Sequence, residues 1–216
     1  MTALIVIAKE CIAGKVKTRL HPPLTLADAA RVAQASLTAT LTAVRVLPAT
    51  RRILYFDGSF SRVPDAAEGY EVIRQPRGTL DERLAHIFDL VDEPAVLIGM
   101  DTPQVEASDF AGVFDGWPDG VDAFFGPALD GGFWALGLRS PRGSLVRGIP
   151  MSRSDTGVLQ RARLERSGLV VRELRTLRDL DTIEDLEAIA GSVSSLHAVS
   201  SAQRLAMTAP PGRTLR

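Results

Sequence analysis

The chain has 216 residues, with 25 Lys and Arg against 26 Asp and Glu, a formal net charge of -1. No global basic field therefore draws it to nucleic acid or to an anionic membrane, and any phosphate ligand has to be held by a local patch. A single cysteine, Cys11, excludes a disulfide framework and a cysteine-based zinc site and fits a reducing compartment.

One domain is the default at this length, with roughly 70% of the unfolded surface available for burial. The opening MTALIVIAKE has no positive residues ahead of a short apolar run, and no uncharged apolar run approaches the ~18 residues of a membrane span. We therefore expect a cytoplasmic protein without a membrane span.

Ala3 to Ala8 is apolar and rich in β-branched residues, the pattern of a strand buried on both faces. A loop from Lys9 to Leu24 follows, and Thr25, with Asp28 three residues on, opens an Ala-rich helix that Pro48 ends near Leu47. Strands are expected at Arg52 to Phe56 and Glu71 to Arg74, then a helix from Thr79 or Asp81 to about Val91 and a buried strand at Ala95 to Gly99. A short helix near Ser108 to Phe114 precedes strands at Asp122 to Phe125 and Phe133 to Leu138. A helix at Asp155 to Ser167, a strand at Leu169 to Leu174 and a helix at Thr182 to Ala190 complete the series. This alternation predicts an α/β fold of three layers around a mostly parallel sheet. Residues 1–190 form the expected domain. The Ser-, Ala- and Pro-rich 191–216 are expected to be a partly disordered tail.

Ligands of open parallel sheets bind at the C-terminal ends of the strands, and four polar clusters fall there. Lys9, Gly14, Lys15, Lys17, Thr18 and Arg19 place four cations within eleven residues after the first strand. Arg19 offers a bidentate fork to phosphate oxygens, the lysines are point charges, and Gly14 permits close backbone approach. The segment matches neither GxxxxGK[ST] nor GxGxxG, and a solvated basic loop is its plain alternative. Asp101 directly follows a buried strand, where a carboxylate suits Mg²⁺, Mn²⁺ or a ribose, unless it only caps a turn. Asp130, Gly131 and Gly132 offer a hydrogen-bond acceptor beside a close backbone, or an ordinary hairpin turn. Asp181 and Thr182 read first as a helix N-cap, which leaves Asp179 or Asp181 open as a second metal ligand. His21, His86 and His197 lack metal-ligand spacing, and Cys11 has no partner set that would make it a nucleophile. Met151 to Arg153 is a candidate lining for an acceptor pocket.

The ordered segments AKECIAGKVKTRL, LIGMDTP, GPALDGGFWALGL and RDLDTIEDL resemble the bacterial GT-A-like transferases of the glycosyltransferase A or "transferase 1" type. The resemblance runs from about Ala3 to Ile189. These are distant relatives of nucleotidyltransferases such as 2-phospholactate guanylyltransferase, which shares a Lys-x-Arg-Leu segment. It implies a nucleotide-diphospho-sugar transferase fold, with Lys9, Lys17 and Arg19 on phosphates and Asp101 at the metal position. It also implies Asp130 and Gly131 toward the sugar or acceptor, and Asp181 as the late acid completing the metal site. The chain departs from the pattern at two points: Asp101 begins Asp-Thr-Pro where GT-A enzymes have Asp-x-Asp, and Met151 precedes Ser152 where an aromatic is common.

The reading that follows is a transferase using Mg²⁺ or Mn²⁺, a nucleotide sugar and a small-molecule acceptor, with Asp101, Asp130 and Lys17 as the catalytic set. Two alternatives stand beside it. One is a nucleotidyltransferase that releases pyrophosphate from a nucleoside triphosphate, which the dense cations suit. The other is a nucleotide-binding module without turnover, which the missing second Asp keeps open.

Overall fold

The computed structural model of the protein describes residues 2–191 and 193. Eleven regular elements appear in the order β1 Ala3–Lys9, α1 Leu26–Val44, β2 Arg52–Asp57, β3 Glu71–Arg74, α2 Leu80–Leu90, β4 Ala95–Ile98, β5 Ala123–Pro127, β6 Phe133–Leu138, α3 Thr156–Arg166, β7 Val171–Glu173 and α4 Ile183–Ala190, separated by short 3-10 turns. The strands form one seven-stranded sheet ordered β3-β2-β1-β4-β6-β5-β7. β6 runs antiparallel to both β4 and β5, and every other pairing is parallel.

β1 is central because its side chains are apolar on both faces. Leu4 and Val6 pack with Leu37, Leu41 and Val44 of α1, while Ala3 and Ile5 pack with Leu84, Ile87 and Phe88 of α2 and Leu164 of α3. Those two clusters are the two sides of a three-layer sandwich. A third, smaller cluster joins Leu20 and Leu24 of the loop after β1 to Val32 of α1 and to Leu180, Leu186 and Ile189 around α4. It closes residues from opposite ends of the sequence onto one another. Val193, inside the span expected to be tail, packs into this cluster too; the rest of that span lies outside the described residues except Gly191.

Local chemistry sets the element ends. Thr25 caps α1, accepting from the Asp28 amide at 3.1 Å. α1 stops at Val44 rather than near Leu47, because the ring of Pro48 would collide with the carbonyl four residues earlier. The helix expected near Ser108 to Phe114 is only a 3-10 turn, Ala107–Phe110, and the strand expected at Leu169 to Leu174 shortens to β7. At the β5–β6 pair the register shifts at Gly126/Pro127. A Cβ on Gly126 would lie 2.6 Å from the Trp134 ring, so the glycine makes room for that indole.

Two buried side chains fix the rim of the sheet. The Gln75 amide donates to the carbonyls of Ala8 and Tyr55, both at 2.8 Å, tying together the ends of β1 and β2. The Ser36 hydroxyl of α1 donates to the Met100 carbonyl at 2.7 Å, holding the residue just before Asp101. Ser36→Ala removes the only side-chain donor to that buried carbonyl among the described residues. The substitution should lower the unfolding free energy by about 1–3 kcal/mol, the cost of a buried polar group left unpaired, as read by urea denaturation.

Candidate functional site

The C-terminal ends of β1, β4 and β5 and the segments after β7 meet on one edge of the sheet. The chain leaves β1 through a loop in which Lys17 adopts a left-handed conformation, φ 47, before the 3-10 turn Thr18–Leu20. That conformation is uncommon for a residue with a Cβ. It turns the Lys17 side chain inward, where its Nζ lies 2.6 Å from Asp101 Oδ1 and 2.9 Å from Asp181 Oδ1. Arg19 Nη1 takes the other Asp181 oxygen at 3.3 Å. The Lys17 side chain is 7% exposed, against 42% for Asp101 and 35% for Asp181. Burial alone would lower the Lys17 ammonium; the charges of Asp101 and Asp181, with hydrogen bonds to both, more than reverse this and hold it above the ordinary lysine range.

Hydrogen bonds and a buried leucine hold the frame behind these groups. The Leu180 amide donates to the Asp101 carbonyl at 2.8 Å, and Leu180 itself is buried in the third core cluster. Asp185, not Asp181, is the carboxylate that caps α4: it accepts from the Thr182 amide at 2.9 Å, while Thr182 caps in return and Arg178 pairs with Asp185 at 2.8 Å. The capping chemistry expected of this segment therefore falls on Thr182 and Asp185, which leaves Asp181 to face Lys17 and Arg19.

Two adjoining cavities, of about 360 Å³ and about 410 Å³, open beside this cluster. They share Lys9, Met100, Asp101, Asp130, Ser152 and Arg153 as walls. The first reaches over the sheet edge toward α2, past Asp57, Gln75 and Arg83 to Phe133 and Met151. The second is lined by Lys17, Thr18, Arg19 and Asp181 and is the more cationic. Lys9 stands at their junction and forms no ion pair with another described residue. Asp130, a wall of both cavities, accepts at Oδ1 from the Gly132 amide at 2.8 Å.

Of the expected residues, Lys9, Lys17, Arg19, Asp101, Asp130 and Asp181 converge here. Gly14 and Gly131 line neither cavity. Gly14 serves a turn at φ 78, and Gly131, at φ 88, makes room for the Ser154 carbonyl, which would lie 1.9 Å from an added Cβ. His21 binds the Leu24 carbonyl at 2.7 Å, and His86 stacks on Tyr55; His197 lies outside the described residues. Met151 to Arg153, a candidate acceptor lining, does reach the first cavity. Asp57, Gln75 and Arg83 were not expected. Their signal was only position, at the last residue of β2, just beyond β3 and in the first turn of α2, with Arg83 bonded to Asp57 at 2.9 Å. Asp179 lines the first cavity as well. Burial, then the charges of Asp130 and Asp101, push its carboxyl up to about 7.

No three His, Cys, Asp or Glu residues converge to cage a metal ion among the described residues. Mg²⁺ seldom uses such a cage: it is held by one or two carboxylates and completed by water and substrate phosphates. Asp101 and Asp181 fit that donor set, since one ammonium already bridges them at contact distance.

The mostly parallel sheet with its one antiparallel strand superposes on the nucleotide-diphospho-sugar transferase fold. A protein of Desulfovibrio desulfuricans G20, provisionally named a nucleotide-diphospho-sugar transferase, superposes with a TM-score of 0.80 at 22% identity, covering 94% of this chain and 97% of its own. A cytidylyltransferase from Leptospira borgpetersenii superposes at 0.55 with 13% identity, covering 98% and 99%. The inositol-1-phosphate CTP transferase of T. maritima superposes at 0.51 with 12% identity, covering 92% and 96%. Residues 37–153, more than half of the chain, match the family described as an uncharacterised protein conserved in bacteria, DUF2064, and the chain belongs to that family. No curated protein matches the sequence.

Cys11 sits beside the same loop. Burial, then the nearby Asp101 charge, push its thiol up to about 11, against the opposing pull of Lys9 and Lys17. Only the thiolate alkylates readily, so at pH 8 Cys11 should react with iodoacetamide roughly a hundredfold more slowly than free cysteine, and faster as pH rises toward 11. Mass-spectrometric labelling against time checks this, and rapid labelling at pH 8 contradicts the half-buried placement beside Asp101.

Proposed function

We propose that the protein is a metal-assisted transferase that moves a glycosyl group from a nucleotide sugar to a small hydroxyl-bearing acceptor. The observation that carries it is the Lys17, Asp101 and Asp181 cluster, set between two cavities at the C-terminal edge of this sheet. The second cavity, with Lys17 and Arg19, takes the diphosphate, and Lys9 spans its junction with the first. Asp101 and Asp181 would hold Mg²⁺ or Mn²⁺, which when bound supplies charge to the phosphate oxygens. The acceptor oxygen attacks the anomeric carbon, the bond from that carbon to the diphosphate oxygen breaks, and the nucleoside diphosphate leaves with the electron pair. Arg19 and Lys9 face the charge that develops there. Asp130, with one oxygen pinned by Gly132, takes the acceptor's proton on the other.

The same cations and carboxylates would serve attack at an α-phosphorus with pyrophosphate leaving, which is the second reading. Incubation with Mn²⁺ and a panel of nucleotide sugars should release a nucleoside diphosphate. Pyrophosphate release from a triphosphate and a phosphorylated acceptor, without any nucleoside diphosphate in the first panel, replaces glycosyl with nucleotidyl transfer. Silence in both panels with nucleotide still bound leaves a binding module.

Two substitutions test the site directly. Arg19→Ala should weaken nucleotide binding by about 1.5–3 kcal/mol in calorimetry, the scale of a charge-assisted hydrogen bond, and Arg19→Lys should restore only part because the fork is lost. Asp101→Asn should keep the fold, by circular dichroism, and lose the Mn²⁺-dependent part of nucleotide affinity. A mutant that binds Mn²⁺-nucleotide like wild type reduces Asp101 to a turn residue.

A further inference from the structure

The free protein balances the charge of Asp101 and Asp181 with its own side chain. Lys17 Nζ lies within 2.6 and 2.9 Å of one oxygen on each carboxylate. A divalent ion bound to both, at the ~2.1 Å that Mg²⁺ demands, would have to occupy the same gap. Two cations do not share such a gap, so one has to leave. The geometry favours Lys17 as the group that moves. Its ammonium ends a flexible four-carbon stem, and it lines the cationic cavity, where phosphate oxygens would offer it another partner. Its backbone is one of only two non-glycine positions at positive φ among the described residues. That conformation aims the side chain at the carboxylates, and strain of this kind gathers where a segment switches.

We infer that Lys17 and the divalent ion compete for Asp101 and Asp181, so that metal binds weakly to the free protein and tightly only when nucleotide phosphates offer Lys17 another partner. This rests on the metal reading above. It makes Lys17 the coupling element between metal and nucleotide: each ligand raises the affinity for the other by the same factor, because Lys17 exchanges carboxylates for phosphate. It also means that free Mg²⁺ or Mn²⁺ alone does not preload the site.

The test is Mn²⁺ binding without nucleotide, read by electron paramagnetic resonance of the free ion and by the Mn²⁺-induced shift in Tm. Wild type should bind weakly. Lys17→Met, which keeps the stem and removes the charge, should bind Mn²⁺ at least tenfold more tightly and gain more Tm from it. Lys17→Gln should do the same, so that poor folding of one variant does not decide the matter. Asp101→Asn placed on Lys17→Met should abolish the gain. If both Lys17 variants bind Mn²⁺ no more tightly than wild type while Asp101-dependent Mn²⁺ binding appears with nucleotide, the competition is wrong and the metal reading stands. Tighter binding that survives Asp101→Asn also overturns the competition. No Mn²⁺ binding by any form, with or without nucleotide, removes both.

Discussion

The bridge from the Lys17 ammonium to Asp101 and Asp181 is the interaction on which the arrangement of this edge depends. It joins the loop after β1 and the residues just beyond β4, which leave two paired parallel strands, to the segment before α4, which belongs to no strand of the sheet. Taking an ammonium almost wholly out of water is costly, and replacing a buried ion pair by apolar groups is often neutral or favourable for stability. Stability alone therefore gives little reason to keep a lysine here. The apolar work of closing the loop after β1 onto the segment around α4 is already done below it by Leu20, Leu24, Leu180, Leu186 and Ile189. The charged layer sits on top of that small core, at the edge where both cavities open.

Around the bridge, groups are held by close approach as much as by charge. Gly131 lies against the Ser154 carbonyl and Gly157 against the Gly132 carbonyl, distances at which any side chain would collide. The Gly157 amide donates to the Gly131 carbonyl at 2.8 Å. The loop carrying Asp130 and the loop carrying Ser152 and Arg153 are thus clamped together as one wall shared by both cavities. Arg153 is held in turn by a two-pronged contact with Asp155, both distances 2.9 Å. On the opposite wall, Gln75 and Arg83 brace the strand ends through buried or half-buried hydrogen bonds.

Much of this was legible in the sequence because it is carried by local patterns. The apolar run of β1 announces a strand buried on both faces, and the Thr25 and Thr182 caps mark where α1 and α4 begin. Lys17, Arg19, Asp101, Asp130 and Asp181 stand out because charged residues follow buried strands or crowd one loop. What stayed hidden depends on tertiary placement. Gly131 and Gly14 read as places for a ligand to approach, whereas one is spent on a neighbouring carbonyl and the other on a turn. Asp57 and Arg83 look like ordinary surface residues until the sheet brings the ends of β2 and β3 beside α2. The direct pairing of Lys17 with both acids could not be read from spacing, since nothing local to residue 17 specifies what lies above it.

That pairing spans 164 positions of sequence between Lys17 and Asp181, and β6 slots between β4 and β5, both made before it. During synthesis, β4 must wait with one edge uncovered until residues 133–138 have emerged, and the Lys17 loop must wait longer still for the segment around Leu180. Ribosomes add roughly 5–20 residues per second, so Lys17 stays without its second carboxylate for several seconds on each new chain. The site is therefore complete only after all seven strands, the last ending at Glu173, have emerged, and a chain cut short just before Asp181 would carry a whole sheet yet leave Lys17 without its second carboxylate.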